Sequence, residues 1–165
     1  MKNFQDIKYK ILTRENLYFL IIIFFVFFLD RYSKILIIKE LSEKTFFVND
    51  FLNLNLIWNT GIGFGLLSSN SELIYNSISF LIGIVIFILI FIGLLSSKAE
   101  KFFFSLIVGG AFGNFYDRIE YKAVPDFIDL HYKNMHWFTF NIADVFITLG
   151  IIIFIFKDTF IKKYE

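Results

Sequence analysis

The sequence predicts an integral membrane α-helical protein: four transmembrane helices with a small extracytoplasmic β-cradle between the first two. Three observations predict this class. Hydrophobic residues make up 57% of the 165, and Phe alone occurs 25 times, against about 45–50% apolar residues in soluble domains. The excess falls in four runs, each near the roughly 20 residues that a helix needs to cross hydrocarbon. A single proline, Pro125, leaves those runs free to be helical.

The elements follow in order as one membrane domain over residues 1–165. Residues 17–38 form the first span, with Asp30, Arg31, Ser33 and Lys34 near its end. Residues 45–67 mix Phe, Val, Leu, Asn and Trp, with rough alternation through Asn53-Leu54-Asn55-Leu56, which fits a small half-buried sheet. Gly61, Gly63 and Gly65 then predict a tight turn that exposes backbone. The second span, residues 73–95, carries no charge. The third covers about 102–119 and is rich in small residues at Gly109, Gly110, Ala111 and Gly113, which permit close helix packing. The fourth covers 137–156, with Asn141 and Asp144 near its start.

Basic residues set the orientation. Lys2, Lys8, Lys10, Arg14, Lys98, Lys101, Lys157, Lys162 and Lys163 lie on one side, against Lys39, Lys44, Lys122 and Lys133 on the other. Both termini and the short middle loop are therefore expected in the cytoplasm. No small-x-small cleavage site follows the first apolar run, which reads as an uncleaved anchor.

Near-balanced charge, 16 Lys+Arg against 15 Asp+Glu, argues against a nucleic-acid partner. The absence of cysteine removes disulfides, zinc–thiolate sites and thiol nucleophiles. No phosphate-loop Lys-Ser/Thr accompanies the glycines. His131 and His136 are spaced poorly for a metal on one helical face, so interfacial histidines and no metal are expected.

With this topology the ionisable residues collect at the outer interface, where burial in or near lipid marks functional candidates. Asp30 and Lys34 are four apart on a helix and predict a structural ion pair. Asp117 and Arg118 close the third span and predict a structural or substrate-holding role. Asp129, Lys122 and Lys133 read as solvated loop charges. Asp126, flanked by Val124, Pro125, Phe127 and Ile128, and Asp144, inside an apolar run, have unusual settings for carboxylates. Two carboxylates that share a site hold one proton, so one can act as base toward water while the other donates to a carbonyl oxygen. The residues alone leave open whether the two meet or are separate structural aspartates.

Five short blocks, in this order, resemble the bacterial lipoprotein signal peptidases (signal peptidase II). Asp30-Arg31-Tyr32-Ser33-Lys34 resembles the family's Asp-x-x-Ser/Thr-Lys block, and Asn59-Thr60-Gly61-Ile62-Gly63-Phe64-Gly65 its Asn-x-Gly-Ala-Ala-Phe-Gly block. Residues 109–118 match Gly-Gly-Ala-x-Gly-Asn-x-x-Asp-Arg; Val124-Pro125-Asp126-Phe127 and Phe140-Asn141-Ile142-Ala143-Asp144 resemble the two blocks that carry catalytic aspartates. The departures are Ile62 and Gly63 in place of paired alanines, and Val145 where Ser is common; they concern the pocket wall.

The resemblance implies an intramembrane aspartyl endopeptidase whose dyad is Asp126 and Asp144, with Asp117 in support. Asn114, Arg118 and Asn141 would position substrate backbone and dyad, and Asn59, with Gly61 in the same block, would help to hold the peptide. The implied substrate is a prolipoprotein with diacylglycerol on the cysteine that follows the signal peptide, cleaved just before that cysteine. Membrane lipids are the surrounding partners, globomycin-type cyclic peptides the expected inhibitors, and no metal or organic cofactor is implied. A small proton- or ion-coupled transporter is the competing class, but its charged residues usually lie near the midplane, often within internal repeats or broken helices. A presenilin-like protease lacks support because Gly61-Ile62-Gly63 is followed by Phe64.

Overall fold

A computed structural model describes residues 13–41, 44–61, 72–133 and 135–161. Among these residues the chain forms four helices and one antiparallel sheet of order β1-β2-β3-β4. Helix α1 (Arg14–Glu40) starts at Thr13, whose hydroxyl accepts the Asn16 N–H at 3.1 Å, a helix N-cap. Strands β1 (Phe46–Asn49) and β2 (Leu52–Asn59) follow, within the stretch where a sheet was expected; Ile62, Gly63 and Gly65 lie outside the described residues. Helix α2 (Glu72–Leu95) is joined to α3 (Lys98–Tyr121) by a short turn. The buried Lys101 ammonium secures that turn by donating to the Gly93, Leu94 and Ser96 carbonyls at 3.0, 2.8 and 2.8 Å. Helix α3 ends on a left-handed Lys122, and β3 (Val124–Tyr132), β4 (Met135–Phe140) and α4 (Ile142–Ile161) complete the chain.

Two expectations are corrected here. Residues 124–132, read as a loop, form β3, paired along both edges with β2 and β4. Its apolar run does not alternate cleanly because most of the strand is buried on both faces. The fourth helix begins at Ile142 instead of 137. Trp137 to Phe140 belong to β4, and Asn141 starts the helix with a reciprocal cap: its Oδ1 accepts the Asp144 N–H at 3.1 Å, while Asp144 Oδ2 accepts the Asn141 N–H at 3.2 Å.

The distribution of side chains is inverted relative to a soluble protein. Asp30, Lys34 and Asp117 are fully buried, whereas Phe28 is 63%, Phe80 72% and Phe87 73% exposed. Apolar surfaces of this extent mark contact with an apolar environment. Helix α2 is, among the described residues, the one helix long and apolar enough to cross a membrane by length and composition alone.

Helix α3 packs at the centre, against α1, α2 and α4. Three of its glycines, Gly109, Gly110 and Gly113, set the approach. A Cβ at Gly110 would stand 2.5 Å from the Ala143 carbonyl oxygen of α4, and one at Gly113 would collide with Asp30 Oδ2 of α1. The first obstacle is backbone, which cannot swing aside. Gly110→Ala is therefore expected to destabilise by about 1–3 kcal/mol, despite the roughly 1 kcal/mol advantage of Ala in a helix. Gly83→Ala, whose Cβ would meet the tip of the Phe115 ring at 3.1 Å, should cost less. Thermal unfolding in detergent micelles reads the difference.

Candidate active site

The β3–β4 hairpin explains why distant aspartates converge. Ile128 on β3 pairs with Phe140 on β4. Asp126 lies two residues before Ile128, and Asn141 and Asp144 just after Phe140. The two ends of a hairpin are neighbours in space, so the chain brings residues 126 and 144 to one place.

Asparagine amides hold both carboxylates. Asp126 Oδ2 accepts from Asn59 Nδ2 at 2.8 Å and its Oδ1 from Asn141 Nδ2 at 2.6 Å. Asp144 Oδ1 accepts from Asn114 Nδ2 at 2.8 Å, and its Oδ2 from the Asn141 backbone. Asn141 thus touches both aspartates, with its side chain on one and its main chain on the other. Asn59 Oδ1 accepts the Gly61 N–H at 2.8 Å. Arg118 donates to the Asn114 carbonyl at 3.1 Å and the Gly61 carbonyl at 2.8 Å. Asn59, Asn114, Arg118, Asp126 and Asp144 line a cavity of about 310 Å³ whose other walls are mainly apolar, among them Ile82, Ile147 and Ile151. Burial, and next the charge of Asp144, push the Asp126 carboxyl up to about 6; the two amide donors only partly offset this. A carboxyl in this range keeps a proton where an exposed aspartate has lost it.

A second buried cluster stands behind the first. Lys34 Nζ donates to Asp30 Oδ2 at 2.7 Å, Asp117 Oδ2 at 2.6 Å and Asn114 Oδ1 at 2.9 Å. Asp30 Oδ1 accepts the Ala143 N–H at 2.9 Å, in the first turn of α4 where helix N–H groups lack partners. Arg31 pairs with Asp117 and donates to the Tyr121 hydroxyl at 3.2 Å. The expected pair of Asp30 and Lys34 is present, but it is part of a network that joins three helices. Arg31 and Tyr121 were not singled out from sequence. An arginine inside an apolar run was the available signal for the first; nothing local marks the second.

Asp129 is corrected from a solvated charge. It is 1% exposed, and His136 Nδ1 lies 2.8 Å from its Oδ2. His131 stacks on His136 at 5.4 Å, so the two rings lie face to face and do not converge on an ion. Among the described residues no group of three or more His, Asp or Glu could hold a metal.

A family model described as Signal peptidase (SPase) II matches residues 22–160. A protein of Pelagibacter ubique (strain HTCC1062) named lipoprotein signal peptidase is 51% identical over 153 residues, covering 90% of this chain and 92% of the relative. A protein of the same name from Francisella tularensis subsp. mediasiatica is 38% identical over 157 residues, covering 92% and 98%. Among solved structures, a bacterial membrane enzyme obtained by the in meso method at 2.3 Å resolution superposes with a TM-score of 0.69 at 31% identity, covering 86% of this chain and 88% of that one. The chain belongs to the signal peptidase II family, and it is a membrane-embedded protease.

The Lys34 cluster generates a stability prediction. Lys34→Met leaves Asp30 and Asp117 buried with a compensating cation removed, and should cost about 3–5 kcal/mol. It also frees the Asn114 amide from the partner that orients it toward Asp144. Denaturant unfolding in micelles should show the loss, and turnover measured on the folded fraction should fall with it.

Proposed function

We propose that this protein is an aspartic endopeptidase that removes the signal peptide from prolipoproteins carrying a diacylglyceryl group on the cysteine after the scissile bond. Asp126 and Asp144 are the catalytic dyad. The observation that carries the reading is Asn141, which hydrogen-bonds both carboxylates at the head of one cavity. Asn114 and Asn59 hold the dyad from the other sides, Arg118 holds the Gly61 backbone beside it, and Asp117 supports the site through Lys34.

The chemistry follows from one shared proton. The protonated carboxyl donates to the scissile carbonyl oxygen while the ionised one takes a proton from water, and the new C–O bond gives a tetrahedral diol. Collapse returns a proton to the nitrogen as the C–N bond breaks. The products are the free carboxyl of the signal peptide and the α-amine of the lipid-modified cysteine. No metal or organic cofactor takes part in this scheme, and globomycin-type peptides would compete for the cavity.

The reading includes an address: a multi-pass protein of the bacterial cytoplasmic (inner) membrane, with four spans in α1 to α4 and both termini in the cytoplasm. The sheet and dyad then lie toward the outer leaflet. The exposed apolar faces of α1, α2 and α4 support it, as does the basic-residue asymmetry. Reporter fusions should place Lys98 in the cytoplasm and Lys133 outside; an external Lys98 would refute this topology.

Asp126→Asn and Asp144→Asn should each lower turnover by about 10²–10⁴-fold, and the double variant should be scarcely worse than either. Substantial cleavage by either single variant would sink the dyad. The pH profile should be bell-shaped, with limbs that belong to the pair. Because Asp126 holds its proton until about pH 6, kcat/KM should fall as pH rises through that value, when the pair loses its last proton. The acid limb, where both carboxyls are protonated, should lie lower. Rates on a lipid-modified prolipoprotein across pH 4 to 8 measure both limbs.

A further inference from the structure

Asp144 and Thr148 border a second cavity, of about 280 Å³, besides the one that holds the asparagines. Its walls are Leu130, Phe138 and Phe140 from the hairpin and Val145 and Leu149 from α4. Residues alternate between the faces of a strand, so Leu130 shares the face of Asp126, and it pairs across the hairpin with Phe138. That face becomes wholly apolar as it leaves the dyad. Val145, one turn before Leu149 on α4, stands where Ser is common in the family that the sequence resembles; here it completes the apolar wall.

The two cavities suit different parts of a substrate. The first presents Asn59, Asn114 and Arg118, which can meet a peptide's N–H and C=O groups. The second offers hydrocarbon beyond Asp144 and Thr148. A peptide backbone placed there would bury unpaired polar groups, at a cost of a few kcal/mol each, whereas an alkyl chain has none. The lipid of the substrate sits on the residue next to the scissile bond, so one of its chains must begin within a few bonds of the dyad. A cavity that touches Asp144 and opens past Phe138 (48% exposed) and Leu149 (44% exposed) offers such a chain a path outward.

We propose that the groove formed by Leu130, Phe138, Phe140, Val145 and Leu149 receives one acyl chain of the substrate's diacylglyceryl group. This inference rests on the function proposed above. Lipid tails are as apolar as these walls, so moving a chain from bilayer to groove yields little affinity. Its effect is to fix the attached cysteine against the dyad, and it therefore belongs in kcat.

The test compares dipalmitoyl and diacetyl forms of one prolipoprotein peptide, on wild-type enzyme and on Val145→Phe and Leu149→Trp, both of which fill the groove. The readout is the ratio of the two substrates' kcat values within each enzyme, in which any unfolded fraction cancels. Wild type should favour the dipalmitoyl form by about ten- to a hundredfold, and both variants should bring the ratio toward one. As a second measurement, a diazirine on the acyl chain, photolysed on Asp126→Asn enzyme, should label Phe138 or Leu149. An unchanged ratio in both variants, or labelling of Ile82 and Ile151 in the other cavity, would overturn the groove while leaving the proposed function standing. Variants that instead alter the preference for peptide residues would also overturn it, because a side chain would then be the occupant. Failure of wild type to cleave either substrate would overturn both readings.

Discussion

Lys34 commits all three of its ammonium protons to side-chain acceptors, and the arrangement of the helices depends on where those acceptors lie. Asp30 belongs to α1, and Asn114 and Asp117 to α3; Asp30 passes the connection on to the Ala143 N–H of α4. Apolar helices surrounded by lipid have no solvent-driven reason to prefer one register, since lipid is as apolar as their side chains. A buried ammonium with three fixed partners supplies the missing direction. Displacing any of these helices along its axis by one residue, about 1.5 Å, would lengthen inter-helix hydrogen bonds that now measure 2.6–2.9 Å. Gly113 contributes by leaving the space that Asp30 occupies.

The same ammonium reaches the proposed dyad through one amide. Asn114 turns its oxygen to Lys34 and its nitrogen to Asp144, so the cation fixes which end of the amide faces the carboxylate. Asn59 and Asn141 follow the same rule, each accepting a backbone N–H and donating to Asp126. Neutral donors matter here. A lysine or arginine in their place would favour ionisation of both carboxyls and remove the proton on which the proposed mechanism relies. The cation close by, Arg118, is directed at two carbonyls instead. Charge balance follows within the cluster, where Lys34 and Arg31 face Asp30 and Asp117.

Much of this was legible in the sequence, for reasons that also explain the errors. Helices α1, α2 and α3 reveal themselves because each rests on one long apolar run of about 20 residues. The start of α4 was misplaced because Trp137 to Phe140 is as apolar in a strand as in a helix; Asn141 and Asp144, three apart, carried the capping signal that marks the boundary. Strand β3 was hidden because burial on both faces erases the period-two pattern. Asp129 looked solvated because its partner His136 lies across a hairpin that had not been recognised. Arg31 and Asp117, 86 residues apart, meet only once the helices pack, and no local pattern carries that information.

The hairpin makes the site from short-range parts. Asp126 follows the end of α3 by a few residues, and Asp144 lies in the first turn of α4, so each aspartate is attached to a rigid helix end. Between them, β3 and β4 run outward and return, with Ile128 paired to Phe140 at the base. The two aspartates are therefore set by a strand register and a helix cap, which permit small tolerances, and not by a long loop. The same geometry carries the apolar face of the hairpin away from the dyad, along Ile128 and Leu130 toward Phe138. The proposed action on a bond between a peptide and a lipid-bearing residue calls for a polar wall on one side and an apolar one on the other. A two-faced strand flanked by asparagines and by an apolar helix supplies both within a few residues of Asp126.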